Sequence, residues 1–259
     1  MSQFFLIAGP CAIEDEAMSF YIAEEVKKIC DDLDIRYIFK GSYEKANRSK
    51  LDSFTGIDKN KALRIHKAIR DKFNIENITD VHESNEPAEV APFVTHLQIP
   101  AFLCRQSKLL KAAGESGCTV NIKKGQFLSP EAMKFAVEKV RATGNDKVWV
   151  CERGTTFGYH DLIVDATSIS RMKKIGQPVV MDCTHSVQKP NQTSGVTGGD
   201  PELIEAIALS AIATGADGFF MEVHPEPHTA QSDPFTMLEL KKLRPILEKC
   251  LKVRKALNS

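Results

Sequence analysis

The sequence predicts a (β/α)8 TIM barrel, because short apolar segments alternate eight times with segments of helical periodicity. The chain has 259 residues, a length that one α/β barrel domain can fill. The short segments are apolar throughout, as expected of parallel strands covered on both faces. No GxGxxG motif follows any of them, which argues against a doubly wound sheet. Without a linker or low-complexity segment, one catalytic barrel domain over residues 1–259 is expected.

The eight predicted strands are short, and turn formers or polar residues follow them. The first, residues 4–8, is stopped by Gly9 and Pro10, and the fourth, residues 96–99, is closed by Pro100. The other six are predicted at residues 35–39, 77–81, 119–123, 148–151, 178–181 and 218–221. Each strand is followed by a helical pattern, so no element is left over.

The predicted helices carry recognisable start signals and apolar faces. The first, residues 15–33, places apolar side chains at near-helical spacing between Phe20 and Ile29. Another begins with Ser129 as N-cap and Pro130 at the first helical position, and runs to residue 143. The remaining helices are predicted at residues 59–72, 86–94, 107–115, 166–175, 201–213 and 235–257, the last with an interruption near Pro245.

Composition restricts the class of function. Lys and Arg together number 34 and Asp and Glu also number 34, so the formal net charge is zero. This balance argues against a nucleic-acid partner or a membrane-surface protein. The seven cysteines contain no CxxC pair, so neither a disulfide framework nor a zinc ribbon is indicated. We therefore expect a soluble, cytoplasmic protein that acts on small molecules, without a signal peptide or membrane span.

The most polar loop, residues 40–49, leaves the second predicted strand. It contains three cations, an amide and two hydroxyls: Lys40, Ser42, Lys45, Asn47, Arg48 and Ser49. Such donors suit a bound anion, because Arg offers a fixed fork of N–H groups and Lys a compact charge. A solvated charged loop is the alternative, and this loop alone does not decide between them.

Other side chains with useful chemistry also lie at or just beyond strand ends. They are Cys11, Lys40, Asp80, Gln98, Lys123, Arg153, Asp182, His185, Glu222 and His224. In a barrel those ends converge on one face, where active sites are found. Charges placed there are costly unless they are paired or liganded. The pattern therefore predicts one catalytic centre.

The predicted centre separates into two chemical groups. Five cations come from three loops and could neutralise two phosphates, or a phosphate and a carboxylate: Lys40, Lys45, Arg48, Lys123 and Arg153. A thiol, an imidazole and two carboxylates could bind a divalent transition metal: Cys11, His185, Glu222 and Asp233. For Lys123 or Arg153 alone, an ion pair with Glu152 or Asp182 is the alternative, and for Cys11 a structural thiol.

These motifs resemble the 3-deoxy-D-manno-octulosonate 8-phosphate synthase family. The matching segments are residues 8–11, 45–49, 79–83, 98–106, 121–127, 151–154, 157–159, 184–188 and 222–227. The resemblance covers almost the whole chain and implies condensation of phosphoenolpyruvate with D-arabinose 5-phosphate. Water would be consumed and inorganic phosphate released, giving a precursor of the sugar that joins lipid A to the rest of lipopolysaccharide. A homotetramer is also implied.

The resemblance assigns roles to individual residues. The phosphoenolpyruvate phosphate would be held by Lys123 and Arg153, and its carboxylate and reacting end would lie near Lys40, Ser42 and Lys45, with Gln98 lining the same pocket. The aldose phosphate and its chain would be held by Asn47, Arg48 and Ser49. The residues expected to be catalytic are Lys45, His185 and Asp233.

The same family contains metal-dependent and metal-independent classes. The metal-free class has Asn where this chain has Cys11, and Pro where it has Gly125. Both positions place this chain with the metal-dependent class. By resemblance, one divalent ion (iron, zinc or manganese) would be held by Cys11, His185, Glu222 and Asp233.

Three other functions compete with this interpretation. The related synthase that uses erythrose 4-phosphate carries Lys-Pro-Arg-Thr at the aldose loop, where this chain has Lys-Ala-Asn-Arg at residues 45–48. A non-catalytic barrel that senses sugar phosphates should have lost at least one catalytic charge, and none is missing. A metal-dependent aldolase would not need two separate anion sites.

Overall fold

A closed parallel barrel forms the centre of the molecule. The computed structural model describes residues 3–46, 53–193 and 197–257. Within these ranges each barrel strand pairs with the next one along the chain, and the last strand pairs with the first. The closing register aligns Phe5 with Gly218 and Gly9 with Glu222. The predicted (β/α)8 barrel is therefore confirmed.

The barrel strands agree closely with the predicted ones. They are β1 (Phe5–Gly9), β2 (Arg36–Lys40), β3 (Glu76–Asp80), β4 (His96–Ile99), β5 (Thr119–Lys123), β6 (Val148–Glu152), β7 (Val179–Asp182) and β8 (Gly218–His224). The largest difference is at β8, which continues three residues beyond the predicted end. Val223 and His224 stay in the sheet because they pair with a short strand, Leu238–Glu239.

The helices surround the barrel in the expected order. They are α1 (Glu16–Asp32), α2 (Lys59–Phe73), α3 (Glu86–Val90), α4 (Ser107–Glu115), α5 (Met133–Arg141), α6 (Ser168–Lys173), α7 (Ile204–Ala213) and α8 (Leu243–Leu257). The prediction of helix from residue 235 is wrong, because Leu238–Glu239 is a strand and Leu240–Lys242 a 3-10 turn. Pro245 does not interrupt α8. It lies in the first turn, where its missing N–H has no helical partner to lose.

Two loops above the barrel carry short antiparallel pairs of their own. After β6, Thr155–Phe157 pairs with Asp161–Ile163. After β7, Gln188–Lys189 pairs with Gly198–Gly199, which closes the base of the segment predicted as a long loop. Both loops thereby border the carboxyl ends of the strands. None of the helices that the structure describes is long and apolar enough to span a bilayer.

The inside of the barrel changes from apolar to charged along several strands, such as β2 and β8. Side chains two residues apart share a face, so Ile38 and Lys40 both point inward, as do Phe220 and Glu222. The apolar interior positions form a cluster separate from the larger core between strands and helices: Phe5, Ile7, Ile38, Ile78, Trp149, Cys151, Val180 and Phe220. The charged positions lie nearer the carboxyl ends, and they line the cavity described below.

Candidate active site

A cavity of about 850 Å³ opens at the carboxyl ends of the strands. Its walls bring together most of the residues that the sequence singled out: Lys40, Lys45, Asp80, Gln98, Lys123, Arg153, His185, Glu222 and Asp233. The volume is within the range that small-molecule sites occupy. Ala46 and Ser53 also line the cavity, but Asn47, Arg48 and Ser49 lie outside the described residues. The structure therefore describes only the residues on either side of the predicted aldose ligands.

The carboxylate of Glu222 is shared by two lysines at the bottom of the cavity. Lys40 Nζ lies 2.7 Å from Glu222 Oε1, and Lys45 Nζ lies 3.8 Å from the same oxygen. Lys40 Nζ also donates to the carbonyl oxygen of Cys11 at 2.6 Å and to Ser42 Oγ at 3.0 Å. Its three N–H donors are therefore used within the protein, whereas the Lys45 ammonium has only the longer contact to Glu222 among the described residues.

The charges of these groups follow from their mutual proximity. Burial alone would raise the pKa of Glu222, but His185 beside it and the ammonium groups of Lys40 and Lys45 hold that pKa well below its usual value. Burial would lower the pKa of Lys45, and the acidic groups Cys11 and Glu222 reverse the effect and raise it. Glu222 is therefore a carboxylate and Lys45 an ammonium at neutral pH.

A second carboxylate, Asp80, organises the neighbouring wall. Ser42 Oγ and Gln98 Nε2 each donate a short hydrogen bond to one of its two oxygens. Gln98 Oε1 accepts in turn from Asn121 Nδ2 at 3.1 Å. Burial alone would raise the pKa of Asp80, but the ammonium groups of Lys40 and its neighbours hold it well below its usual value. Gln98 lies on the pocket wall as predicted, but both the nitrogen and the oxygen of its amide are hydrogen-bonded to protein side chains.

A third carboxylate, Asp182, fixes Lys123 and His185 together. Lys123 Nζ donates to Asp182 Oδ2 at 2.6 Å and lies 3.8 Å from the centroid of the Phe220 ring. His185 Nδ1 lies 2.8 Å from the same Oδ2, while Oδ1 accepts the backbone N–H groups of His185 and Thr184. The ion pair considered as an alternative for Lys123 is thus present, and Lys123 lines the cavity as well.

Arg153 approaches the cavity from the loop after β6. Its Nη2 donates to the carbonyl oxygen of His185 at 3.2 Å and to Gln188 Oε1 at 2.6 Å. Its Nη1 is buried and has no hydrogen-bond partner within the described ranges. An unsatisfied buried donor is costly, which favours an acceptor supplied by a ligand at this point. Arg153 and Lys123 are then two donors available to one anion.

Three of the four predicted metal ligands lie together at one edge of the cavity. Ligand atoms of Cys11, Glu222 and Asp233 are within 4.8 Å of one another. Cys11 Sγ lies 3.1 Å from Asp233 Oδ2 and 3.1 Å from Ser232 Oγ. Glu222 Oε2 is buried without a hydrogen-bond partner among the residues described. A soft thiol beside two carboxylates is a donor set that suits a divalent transition metal, so these residues fit such an ion.

The fourth predicted ligand, His185, adjoins this set without belonging to it. Its Nε2 lies 3.5 Å from Glu222 Oε2, and its Nδ1 is occupied by Asp182. A carboxylate on Nδ1 favours the tautomer that leaves the Nε2 lone pair free, as in metal-bound histidines. The geometry therefore orients His185 towards the ligand set, and its role as a ligand remains a prediction.

Backbone conformation directs the Asp233 carboxylate. Asp233 has a φ of 49°, in the left-handed region that Asp adopts more readily than bulky or β-branched residues. The N–H of Thr236 donates to its carbonyl oxygen at 3.2 Å, which stabilises the turn. The side chain thereby faces Cys11, on the loop after β1, although the two residues are far apart in the chain.

The sequence did not predict that two carboxylates, Asp80 and Asp182, organise the walls of the site. Asp182 was considered only as an alternative ion-pair partner of Lys123, and no partner was predicted for Asp80. The signal available was the position of each at the last residue of a barrel strand. The structure shows that each bridges two side chains from separate strands or loops at the carboxyl end of the barrel.

Comparison with known proteins gives a consistent result over the whole chain. The family model described as the DAHP synthetase I family matches residues 2–259. A protein from Koribacter versatilis (strain Ellin345) is 46% identical over 259 residues, covering 99% of this chain and 93% of its own length. One from Fusobacterium nucleatum subsp. nucleatum is 47% identical over 253 residues, covering 98% and 91%. A third, from Dichelobacter nodosus, is 46% identical over 245 residues, covering 95% and 88%. All three are named 2-dehydro-3-deoxyphosphooctonate aldolase.

Proposed function

The chain belongs to the DAHP synthetase I family, and from this premise we propose that it condenses phosphoenolpyruvate with D-arabinose 5-phosphate and water. The products are 3-deoxy-D-manno-octulosonate 8-phosphate and inorganic phosphate. The relatives' name specifies an eight-carbon sugar acid phosphate. Three carbons from phosphoenolpyruvate and five from the aldose give that length, whereas erythrose 4-phosphate would give seven. The reaction with a four-carbon aldose is therefore not favoured.

The observation that carries the proposal is the set of cations around one cavity. Four of the five predicted cations line the part of the cavity that the structure describes: Lys40, Lys45, Lys123 and Arg153. Phosphoenolpyruvate and a sugar phosphate together bring several negative charges to the site. Charge-assisted hydrogen bonds to such groups each contribute about 1.5–3 kcal/mol.

The phosphate of phosphoenolpyruvate is assigned to Lys123 and Arg153. Both side chains meet at His185, Lys123 through the ring nitrogen at 3.3 Å and Arg153 through the carbonyl oxygen. The buried Nη1 of Arg153 supplies a donor that has no described protein acceptor. Phosphate oxygens accept such donors bidentately, which fixes the orientation of the enol.

The reacting end of phosphoenolpyruvate is assigned to the Lys40, Ser42 and Lys45 side of the cavity. Since Lys40 is fully engaged with protein groups, Lys45 is better placed to touch the substrate directly. As C3 of the enol forms a bond with the aldehyde carbon of the aldose, the aldehyde oxygen gains negative charge and takes up a proton. Lys45 Nζ, held protonated by its acidic neighbours, can donate that proton.

Water completes the balance at C2 of phosphoenolpyruvate. Its oxygen adds to C2, the C2–O bond to phosphate breaks, and the product ketone remains, so atoms and charge are conserved. The water loses both protons as its oxygen becomes the ketone oxygen: one replaces the proton that Lys45 donated, and the other leaves on the phosphate. The first of these protons requires an acceptor in the cavity. Asp233, predicted as catalytic, offers a carboxylate at its wall. The Nε2 of His185, whose lone pair is favoured by Asp182, can accept the proton only when it does not bind an ion.

A divalent transition ion (iron, zinc or manganese) is part of the proposal. Cys11, Glu222 and Asp233 would hold it, with His185 as the fourth ligand. Such an ion would supply a Lewis acid for the aldehyde oxygen or lower the pKa of a bound water. Burial raises the pKa of the Cys11 thiol, so a positive charge nearby is needed to keep it as a thiolate.

One assay tests the proposed reaction. Phosphate release from phosphoenolpyruvate is measured with four-, five- and six-carbon aldose phosphates, before and after chelation. We expect turnover with the five-carbon substrate and loss of activity in chelator. Preference for the four-carbon substrate would indicate the related synthase instead. Binding of both substrates without phosphate release would indicate a sensor. The homotetramer that the resemblance implies is tested separately by sedimentation, and the cytoplasmic location expected from composition is tested by fractionation.

A further inference from the structure

Two buried charged residues beside the proposed phosphate site have no part in the proposed reaction. Lys124 and Glu152 have exposed fractions of 0% and 1%, and neither lines the cavity. Lys124 Nζ lies 3.3 Å from Glu152 Oε1. Each residue directly adjoins a proposed phosphate ligand in the chain, Lys123 in one case and Arg153 in the other. A buried ion pair contributes little net stability on average, so this position needs another explanation.

The carboxylate of Glu152 fixes the backbone where the chain leaves β6. Its Oε1 accepts the N–H of Arg153 at 3.0 Å and the N–H of Gly154 at 2.7 Å. Gly154 has a φ of 86°, a conformation that glycine adopts without steric cost. The direction in which the Arg153 side chain leaves the strand therefore depends on this carboxylate.

The ammonium of Lys124 holds the loops after β5 and β6 together, because its Nζ contacts acceptors in both. Besides Glu152, four acceptors lie within 3.4 Å of Nζ, in the loops after β5 and β6: the carbonyl oxygens of Gly125, Leu128 and Gly154, and Thr155 Oγ1. Its three N–H donors are thus shared among five acceptors. Lys123 ends β5 and Arg153 follows β6. The distance between these two cations therefore depends on the contacts of Lys124, which join the loops after the two strands.

We propose that Lys124 and Glu152 are positioning residues that set the separation of Lys123 and Arg153 to fit the phosphate of phosphoenolpyruvate. This inference rests on the proposed function, because it requires that those two cations bind that phosphate. The aldose is assigned to the loop after β2, and no described residue of that loop has a hydrogen bond or ion pair with Lys124 or Glu152. A change in the pair should therefore alter phosphoenolpyruvate binding and leave aldose binding unchanged.

The test uses a variant that removes both charges at once. Lys124→Met alone would leave Glu152 buried and uncompensated, which also threatens folding. The double variant Lys124→Met/Glu152→Gln keeps an amide oxygen that can accept the two N–H groups. We expect its KM for phosphoenolpyruvate to rise about 10- to 100-fold, as a displacement of about 1 Å would produce. Its KM for the aldose should stay within about twofold.

A matched control comes from the opposite end of the barrel. Arg36 and Glu76, at the first residues of β2 and β3, form a two-pronged ion pair with N–O distances of 2.5 and 2.6 Å. Arg36→Met/Glu76→Gln should lower the melting temperature and leave the KM for phosphoenolpyruvate unchanged. Calorimetric titration with phosphoenolpyruvate alone should reproduce the difference between the two double variants.

Two results separate this inference from the proposed function. If the Lys124/Glu152 variant only melts at a lower temperature, with KM and dissociation constant for phosphoenolpyruvate as in the unmodified protein, the pair is structural and the inference is overturned. If the unmodified protein binds phosphoenolpyruvate but releases no phosphate with any aldose phosphate, the proposed function fails. The titration still decides whether the pair positions the phosphate ligands.

Discussion

Lys40 and Glu222 form a buried ion pair across the mouth of the barrel, with Nζ 2.7 Å from Oε1 and both side chains almost fully inaccessible to solvent. The pair joins β2 to β8, which are separated by β1 in the barrel. Glu222 is also a proposed metal ligand, and Lys40 holds Ser42 on the opposite side. One contact therefore links the two chemical halves of the site.

Removing the charge of Lys40 should affect both stability and activity. Lys40→Met removes the ammonium nearest to the buried Glu222 and leaves the more distant Lys45 and His185, so we expect the free energy of unfolding to fall by about 3–5 kcal/mol. The double variant Lys40→Met/Glu222→Gln should recover much of that loss and remain inactive. Denaturant unfolding and phosphate release measure the two effects. Full activity in either variant would contradict the role assigned to the pair.

Cys11 tests the metal proposal. Cys11→Ala should lose the ion and the activity together, as measured by metal analysis of the purified protein and by assay with and without chelator. Cys11→Asn copies the metal-free class and distinguishes two roles. Chelator-resistant activity would indicate that the ion mainly positions substrate and water, and an inactive protein would indicate an essential Lewis acid.

A control and a contrary result complete that experiment. Cys250 is buried on α8, away from the cavity walls, and Cys250→Ala should keep both ion and activity. An unmodified protein that is metal-free and fully active in chelator would refute the metal proposal. Cys11 would then be a structural thiol.

Arg153 should control binding of phosphoenolpyruvate. Arg153→Ala removes charge-assisted hydrogen bonds of about 1.5–3 kcal/mol each, which corresponds to roughly 10- to 150-fold weaker binding in a direct titration. Arg171, an exposed arginine paired with Glu131 and Asp165, serves as control, since Arg171→Ala should bind normally. Unchanged binding in Arg153→Ala would show that Arg153 only holds Gln188 and the loop around His185.

Arg48 should control the aldose. Its side chain lies outside the described residues, so the prediction comes from the resemblance of residues 45–49. Arg48→Ala should raise the KM for arabinose 5-phosphate far more than the KM for phosphoenolpyruvate, because Arg can hold a phosphate bidentately. The second substrate is the internal control. Equal effects on both would assign Arg48 to general electrostatics instead.

Stability should fall as the pH is lowered from about 6.5 to about 4. Burial lowers the pKa of His66 from 6.5 to about 4, and its Nε2 lies 2.8 Å from the carbonyl oxygen of Gly41, between Lys40 and Ser42. In that range the unfolded chain binds the proton that folded His66 excludes, so stability rises with pH. The full contribution is on the order of 3 kcal/mol.

The measurement is denaturant unfolding at several pH values between 4 and 7.5. His66→Gln keeps an N–H donor for Gly41 and cannot titrate, so its stability should depend less steeply on pH. His96 is also buried with a pKa lowered to about 4 by burial, so part of the dependence should persist. An identical slope in His66→Gln would show that His66 does not carry the effect.

The sequence by itself determined the barrel and the face on which the site lies. Strands covered on both sides are apolar along their whole length, so eight such segments were visible without any knowledge of their partners. The residues that follow them must meet at one end of a parallel barrel, because every strand points the same way. Cys11, Lys123 and Arg153 could therefore be placed in one centre from local pattern alone.

Tertiary structure alone decided the partners. Asp80, Asp182 and Glu222 each bind side chains from other strands, and such contacts depend on how the barrel closes. The beginning of α8 was missed for the same reason, since Leu238–Glu239 is a strand only because the end of β8 lies beside it. Neighbouring strands likewise determine the hydrogen-bond partners of the Gln98 amide and the pairing of Lys124 with Glu152. Local periodicity reports which face a residue occupies, whereas hydrogen-bond partners depend on atoms that only the folded chain brings within about 3 Å.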